Sequence, residues 1–168
     1  MNYDIAIIGY GPVGAMAANM FGSSGLNIVV IEPKKEIWDI PRAVALDGQV
    51  QRIFQSCGII NNIPVKPIDG LTFINKKGKQ IVYVDFTDHS TPNGYSETVG
   101  FSQPNLERTL REKAESYKNI TFKLGSSLSN LIATENNNKL TVINNLTKET
   151  EIISSKYLLA CDGADSFV

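Results

Sequence analysis

Two cysteines and one histidine are all that this chain of 168 residues offers for soft or nitrogen-rich metal chemistry. Cys57 and Cys161 stand far apart with no CxxC spacing, so neither a zinc site nor a disulfide framework is indicated, and a reducing cytoplasm is the expected compartment. His89 sits alone in a polar stretch, and no histidine triad or metal cluster can be built around it. No metal is expected. Charge of one sign is also missing: 16 basic against 17 acidic residues leave a formal net charge of -1, too little to draw the chain to nucleic acid or an anionic membrane. The pairs Lys34-Lys35 and Lys76-Lys77 read as solvated loops. The chain has no unbroken apolar run of membrane length either. Ile5 to Ile31 is apolar enough, but Gly9, Gly11, Pro12, Gly14, Gly22 and Gly25 interrupt it and no basic leader precedes it.

What is present is an ordinary globular composition, 42% hydrophobic and 20% charged, in a length that suits one domain with a real core. Tyr3 to Ile8 is a continuous β-prone run, the pattern of a parallel strand buried on both faces. Small and apolar residues then recur at helical spacing from Pro12 to about Ser23, with proline in the tolerated first turn. Gly25 closes that helix before a second buried strand at Asn27 to Ile31. Val50, Ile53, Phe54 and Cys57 mark an amphipathic helix capped by Gly58. "LTFINKKGKQIVYVDF" reads as a hairpin around a Lys-Gly turn, and the polar stretch through Gly94 as a loop. Leu106, Leu110 and Ala114 define a further helix, "ITFKL" a strand, the segment after Gly125 a β-meander, and "KYLLACDGADS" another buried strand entering a glycine turn.

Gly9, Gly11 and Gly14 form GxGxxG directly after a strand and opening a helix. The first glycine permits a tight turn, the second lets backbone approach a pyrophosphate, and the third lets helix and strand pack closely. The anion rests on the helix N-terminus, around Pro12 and Val13, where unpaired N–H groups and the dipole favour negative charge. Glu32 closes the second strand about twenty residues on, where a carboxylate accepts hydrogen bonds from ribose hydroxyls and repels a 2'-phosphate. Pro33 follows it. The site takes FAD or NAD, and the loop alone does not separate them.

The separation comes from "PRAVALDGQVQRIFQSCGI", "FSQPNLERTLRE" and "ACDGADS". Together with the glycine loop, and in this order over essentially the whole chain, they resemble the FAD-dependent aromatic hydroxylases, the single-component flavoprotein monooxygenases. Within these the resemblance points to the 3-(3-hydroxyphenyl)propionate hydroxylase branch. It implies an α/β fold: a Rossmann-like FAD-binding βαβ domain with a parallel sheet, an inserted β-hairpin and a β-meander. It also implies that Arg42 lies beside the flavin and its phosphates, that Gln103 meets the ribityl chain as donor or acceptor, and that Asp162 and Gly163 form a DG motif associated with the FAD pyrophosphate and the nicotinamide cofactor. A fixed guanidinium fork and a two-way amide suit such roles. No catalytic acid or base stands out: Ser102 and Cys161 lack a partner base, and Tyr95 and Phe101 read as packing.

An intact relative would take electrons from NADH or NADPH through FAD and place one oxygen atom of O2 on a phenolic ring, the hard chemistry belonging to the cofactor. Members of the family continue well past this length with a second FAD motif and the cover over the aromatic substrate. The chain is therefore expected to be a truncated, FAD-binding portion spanning residues 1–168, inactive by itself, with residues 66–100 a β excursion toward a missing substrate domain and with self-association through uncovered edges. Three alternatives remain: another FAD-dependent oxidoreductase, a non-catalytic dinucleotide-binding module, and a nicotinamide-dependent dehydrogenase, which would not need the Pro41-Arg42 and Asp162-Gly163 stretches.

Overall fold

The computed structural model describes residues 2–87, 91–164 and 166–168. Its elements in chain order are β1 (Asn2–Ile8), α1 (Pro12–Gly22), β2 (Ile28–Glu32), β3 (Ala45–Asp47), α2 (Gly48–Ser56), one 3-10 turn (Ile60–Asn62), β4 (Val65–Pro67), β5 (Gly70–Ile74), β6 (Gln80–Asp85), β7 (Thr98–Phe101), α3 (Gln103–Glu115), β8 (Ile120–Leu124), β9 (Ser126–Ala133), β10 (Asn138–Asn144) and β11 (Thr150–Ala160). Two units are distinguishable, residues 1–39 with 107–168, and residues 40–106.

The first unit is built on a six-stranded sheet in the order β8-β2-β1-β11-β10-β9. Strands β8, β2, β1 and β11 run parallel, and β10 and β9 return antiparallel. Ala6 and Ile8 of β1 and Val29 and Ile31 of β2 share a core with Leu128, Leu140, Val142 and Ile153, so the meander covers one face of the parallel strands. Strand alternation puts Ile7, Ile28 and Val30 on the opposite face, and they too are fully buried. This double cover explains why Ile5–Ile8 of β1 and Ile28–Ile31 of β2 are apolar at every position rather than at every second one. Each such aliphatic side chain contributes about 1.5–3 kcal/mol on burial. Ala15 and Ala18 of α1 are buried, and Asn19 ties α1 to α3 by donating from Nδ2 to the Leu110 carbonyl at 2.8 Å.

The meander does not end where its pattern suggests. Its last strand and the "KYLLA" strand are one continuous β11, whose start pairs with β10 and whose end pairs with β1. That end is not buried either: Tyr157 is exposed, and Leu158 and Leu159 are half-buried.

The second unit carries a short antiparallel sheet, β3-β7-β4, and a separate ribbon, β5-β6, turning at Gly78. Strands of three or four residues such as "ALD" and "VKP" are too short to display an alternation, which is why this sheet was not anticipated. Helix α2 is capped by Asp47, whose Oδ1 accepts from the Val50 N–H at 2.8 Å. It buries Gly48, Gln51 and Phe54, whereas Ile53, expected on its inner face, is exposed.

Candidate functional site

Strands β1 and β11 lie side by side and parallel, with Ile8 opposite Ala160. The turns that follow them leave the sheet at the same end, beyond the carboxyl termini of both strands. From β1 the chain runs through α1 to β2 on one side, while β11 lies on the other. That is a topological switch point, the place where open parallel sheets bind ligands beyond their carboxyl ends.

The three glycines of the first turn have three different surroundings. Gly9 has φ +96°, and a Cβ there would be driven into the Cys161 carbonyl and sit 2.9 Å from Asp162 Cα. Gly14 is as constrained: its Cβ would fall on the Gly9 carbonyl oxygen and reach within 3.3 Å of Cys161 Cβ. Gly9 N–H donates to the Ile31 carbonyl at 2.8 Å and Cys161 N–H to the Ile8 carbonyl at 2.7 Å, so both turns are stitched to the strand ends. A Cβ at Gly11 would meet nothing within 4 Å among the described residues. Gly11 is the N-cap of α1 and supplies no side-chain cap; Pro12 opens the helix, and Val13 points outward at 69% exposure. The result is an open backbone approach to a helix N-terminus with no acidic side chain in its first turn.

Glu32 is half-buried at the end of β2. Its Oε2 accepts from the Tyr10 N–H at 2.7 Å and its Oε1 from the Lys34 N–H at 2.9 Å. These bonds use two of roughly four acceptor positions on the carboxylate and leave capacity for a hydroxyl. Pro33 is exposed, and its carbonyl accepts from Asn145 Nδ2 at 3.2 Å.

Asp162 and Gly163, at the end of β11, share the first unit with the glycine loop. Gly163 is exposed with φ +88°, and a Cβ there would meet nothing within 4 Å among the described residues. The Asp162 carboxylate turns onto the chain that follows, accepting from Ser166 Oγ at 2.7 Å and from the Phe167 N–H at 2.7 Å. Burial, the largest single influence, opposes its ionisation, but these two donors together with the backbone N–H groups of Asp162 and Val168 hold its pKa below the ordinary 3.8. A depressed carboxyl stabilises the fold above its unfolded pKa, and that stability is lost as pH falls through the folded value. The Phe167 amide resonance is therefore expected to hold its position at neutral pH and to move only in acid below 3.8. A Phe167 shift that titrates near neutrality would contradict this assignment. Burial, helped by the Asp162 charge, pushes the Cys161 thiol above its usual 9.0, so it carries no thiolate for nucleophilic work near neutral pH.

Arg42 and Gln103 belong to the second unit. Gln103 is 8% exposed, and its Oε1 accepts the N–H groups of Arg42 at 2.7 Å and Ala43 at 2.9 Å. The oxygen end of the amide is thus occupied by backbone, and the acceptor half of the role expected for Gln103 is taken. Arg42 is exposed, with its backbone fixed by that contact. His89 lies outside the described residues. Among the described residues no group of three or more His, Cys, Asp or Glu side chains could hold a metal ion, and no helix is long and apolar enough to cross a membrane.

Three residues beside the loop escaped the sequence reading. Tyr10, between the first two glycines, is fully buried, with its ring 5.2 Å from that of Phe122 and the Arg111 guanidinium 4.5 Å over its centre. Arg111 Nη2 donates to the Tyr10 carbonyl and to Glu107 Oε1, both at 2.8 Å. Burial pushes the Glu107 carboxyl above its ordinary 4.5 against the pull of Arg111, the mark of a pair whose desolvation is costly. The signal was present in the sequence: positions 103, 106, 107, 110, 111 and 114 fall on one helix stripe, so an acid and a base at 107 and 111 lie inside the buried face.

A family model described as FAD binding domain matches residues 2–168. The chain belongs to that family. Among curated relatives, a 3-(3-hydroxy-phenyl)propionate/3-hydroxycinnamic acid hydroxylase of Escherichia coli O8 (strain IAI1) is 29% identical over 167 residues, which is 98% of this chain and 29% of the relative. The FAD-binding chain thus spans less than a third of the curated relatives it matches. Solved structures agree on the fold. The flavin-dependent monooxygenase PieE, in complex with FAD and substrate, is 20% identical with TM-score 0.85, over 99% of this chain and 31% of its own. The p-nitrophenol 4-monooxygenase PnpA from Pseudomonas putida DLL-E4 is 18% identical with TM-score 0.88, over 99% of this chain and 42% of its own. The mainly parallel α/β architecture is that of FAD-binding flavoprotein monooxygenases, and the resemblance of the sequence to flavoprotein aromatic hydroxylases holds.

Proposed function

We propose that this chain is the FAD-binding part of an NAD(P)H-dependent flavoprotein monooxygenase that hydroxylates a phenolic aromatic compound with O2. What carries the proposal is the open space above Gly11 between two glycines that are sterically fixed, at the carboxyl ends of β1 and β11, in a chain matched end to end by a hydroxyphenylpropionate hydroxylase. The residues present fit the adenosine diphosphate half of FAD: the N–H groups at the start of α1, with Gly9, Gly11, Pro12, Val13 and Gly14, receive the pyrophosphate, and the spare acceptor capacity of Glu32 receives ribose hydroxyls. Pro33 fixes the turn after that carboxylate. Asp162 and Gly163 close the opposite side of the switch point. Arg42 and Gln103 are proposed to meet the flavin half, on the strength of the family resemblance. FAD, when bound, supplies hydride acceptance from the nicotinamide and the activation of oxygen.

Residues 66–100 are proposed as an excursion toward a substrate domain. The ribbon β5-β6 supports this, because it exposes Phe73, Ile74, Ile81, Val82 and Tyr83, and a two-stranded ribbon cannot bury them by itself. A purified chain is expected to bind FAD, seen as oxidised isoalloxazine absorption retained through desalting or as quenched flavin fluorescence on titration. In the same preparation, NADH oxidation in the presence of 3-(3-hydroxyphenyl)propionate is expected to stay at background, and light scattering to report assemblies larger than a monomer. Absence of FAD binding at any accessible concentration would overturn the cofactor reading. A monomer with coupled substrate hydroxylation would overturn the assignment of this chain as one part of the activity.

A further inference from the structure

Arg111 makes more contacts than a structural ion pair needs, and their pattern is directional. Nη2 donates at 2.8 Å to the carbonyl of Tyr10, inside the glycine loop, and Nη1 donates at 3.4 Å to the carbonyl of Lys35, in the loop after β2. Those two loops are joined a second time through Glu32, whose carboxylate accepts the Tyr10 N–H on one oxygen and the Lys34 N–H on the other. The contacts close a ring: Arg111 to Tyr10, Tyr10 to Glu32, Glu32 to Lys34, and Lys35 back to Arg111. Glu107 pairs with the guanidinium at 2.8 Å, the guanidinium carbon lies 4.5 Å over the Tyr10 ring centre, and the Arg111 Nε is buried without a partner among the described residues.

We propose that Arg111 is a positioning residue for adenosine recognition: it fixes the two loops so that the free acceptor capacity of Glu32 faces the ribose hydroxyls. The inference rests on the proposed ribose role of Glu32. A guanidinium suits the task because its planar fork reaches two carbonyls and a carboxylate at once, which a lysine ammonium on a flexible stem cannot do. Tyr10 is the relay. Its carbonyl takes the charge-assisted bond from Arg111 while its own N–H is aimed at Glu32, so the peptide groups on either side of Tyr10 are held from both ends.

The test is titration of this chain with ADP and with 2',3'-dideoxy-ADP, which differ only in the hydroxyls that Glu32 would accept. Wild type is expected to prefer ADP by about tenfold or more, the worth of a hydrogen bond to a charged group. Arg111→Met and Arg111→Lys are expected to reduce that preference to about threefold or less, as Glu32→Gln would, with ADP affinity falling and dideoxy-ADP affinity nearly unchanged. A purely structural role would lower the melting temperature and leave the ratio intact in the folded protein. If Arg111→Met does not fold, Arg111→Lys, which keeps the charge and the apolar stem, carries the test. A folded Arg111→Lys with the full wild-type ratio overturns the role of Arg111 and leaves Glu32 standing. A wild type that does not distinguish the two nucleotides overturns the ribose role of Glu32, and the inference falls with it.

Discussion

Gly14→Ala is expected to cost the fold about 3 kcal/mol or more, although it adds a single methyl group. The methyl carbon would fall on the Gly9 carbonyl oxygen, which is held in turn because Gly9 itself abuts the Cys161 and Asp162 backbone. Both neighbours are main chain at strand ends, so neither can step aside as the tip of a flexible side chain would. Relief requires α1 to lift from β1, and α1 carries the buried Ala15, Ala18 and Asn19 with it. For a chain of this size the cost corresponds to a fall in melting temperature of about 6–12 °C. Gly9→Ala should be at least as severe, because it adds a positive φ to a backbone clash. Thermal unfolding followed by circular dichroism decides the matter: a Gly14→Ala protein that melts with wild type would show that α1 and β1 are not packed as closely as described.

The glycine fingerprint was legible because each of its parts answers a local steric demand. A turn with positive φ, a close crossing and an open approach each exclude a side chain, and the sequence records these exclusions as Gly9, Gly14 and Gly11. The apolar runs Ile5–Ile8 and Ile28–Ile31 were legible for a similar reason, since the stretch of a strand covered on both faces has no polar positions to spare. What escaped was set by partners distant in sequence. Nothing within "TKETEIISSKYLLA" reveals that one strand serves the meander at its start and the parallel sheet at its end; the change occurs near Ser154 and Ser155, where pairing passes from β10 to β1. Glu107 and Arg111 look like any i,i+4 surface pair until the stripe containing Leu110 and Ala114 is followed around the helix. Gln103 shows the same limit, because its use of Oε1 on the backbone of Arg42 and Ala43 depends on a loop sixty residues earlier in the chain. Local chemistry identified the candidate ligand; the tertiary contacts decide which atoms remain free to meet it.

Gly11→Val separates ligand space from packing space, because it is the complement of Gly14→Ala. Its backbone is ordinary for any residue, with φ -72° and ψ -170°, and a Cβ there meets nothing within 4 Å among the described residues. The fold loses only the advantage of glycine over an apolar residue at an N-cap, about 1 kcal/mol or less. Dinucleotide binding has no such tolerance. A pyrophosphate that approaches the first N–H groups of α1 must come within hydrogen-bond distance of backbone, and two γ-methyl groups would occupy the space it needs. Losing that contact removes charge-assisted bonds to both phosphates, so FAD affinity is expected to fall by more than about a hundredfold while the melting temperature moves by no more than about 4 °C. Fluorescence titration with FAD alongside thermal unfolding reads both quantities on one preparation. If Gly11→Val folds and binds FAD as tightly as wild type, the space above Gly11 does not receive the pyrophosphate, and the cofactor must enter elsewhere on the switch point.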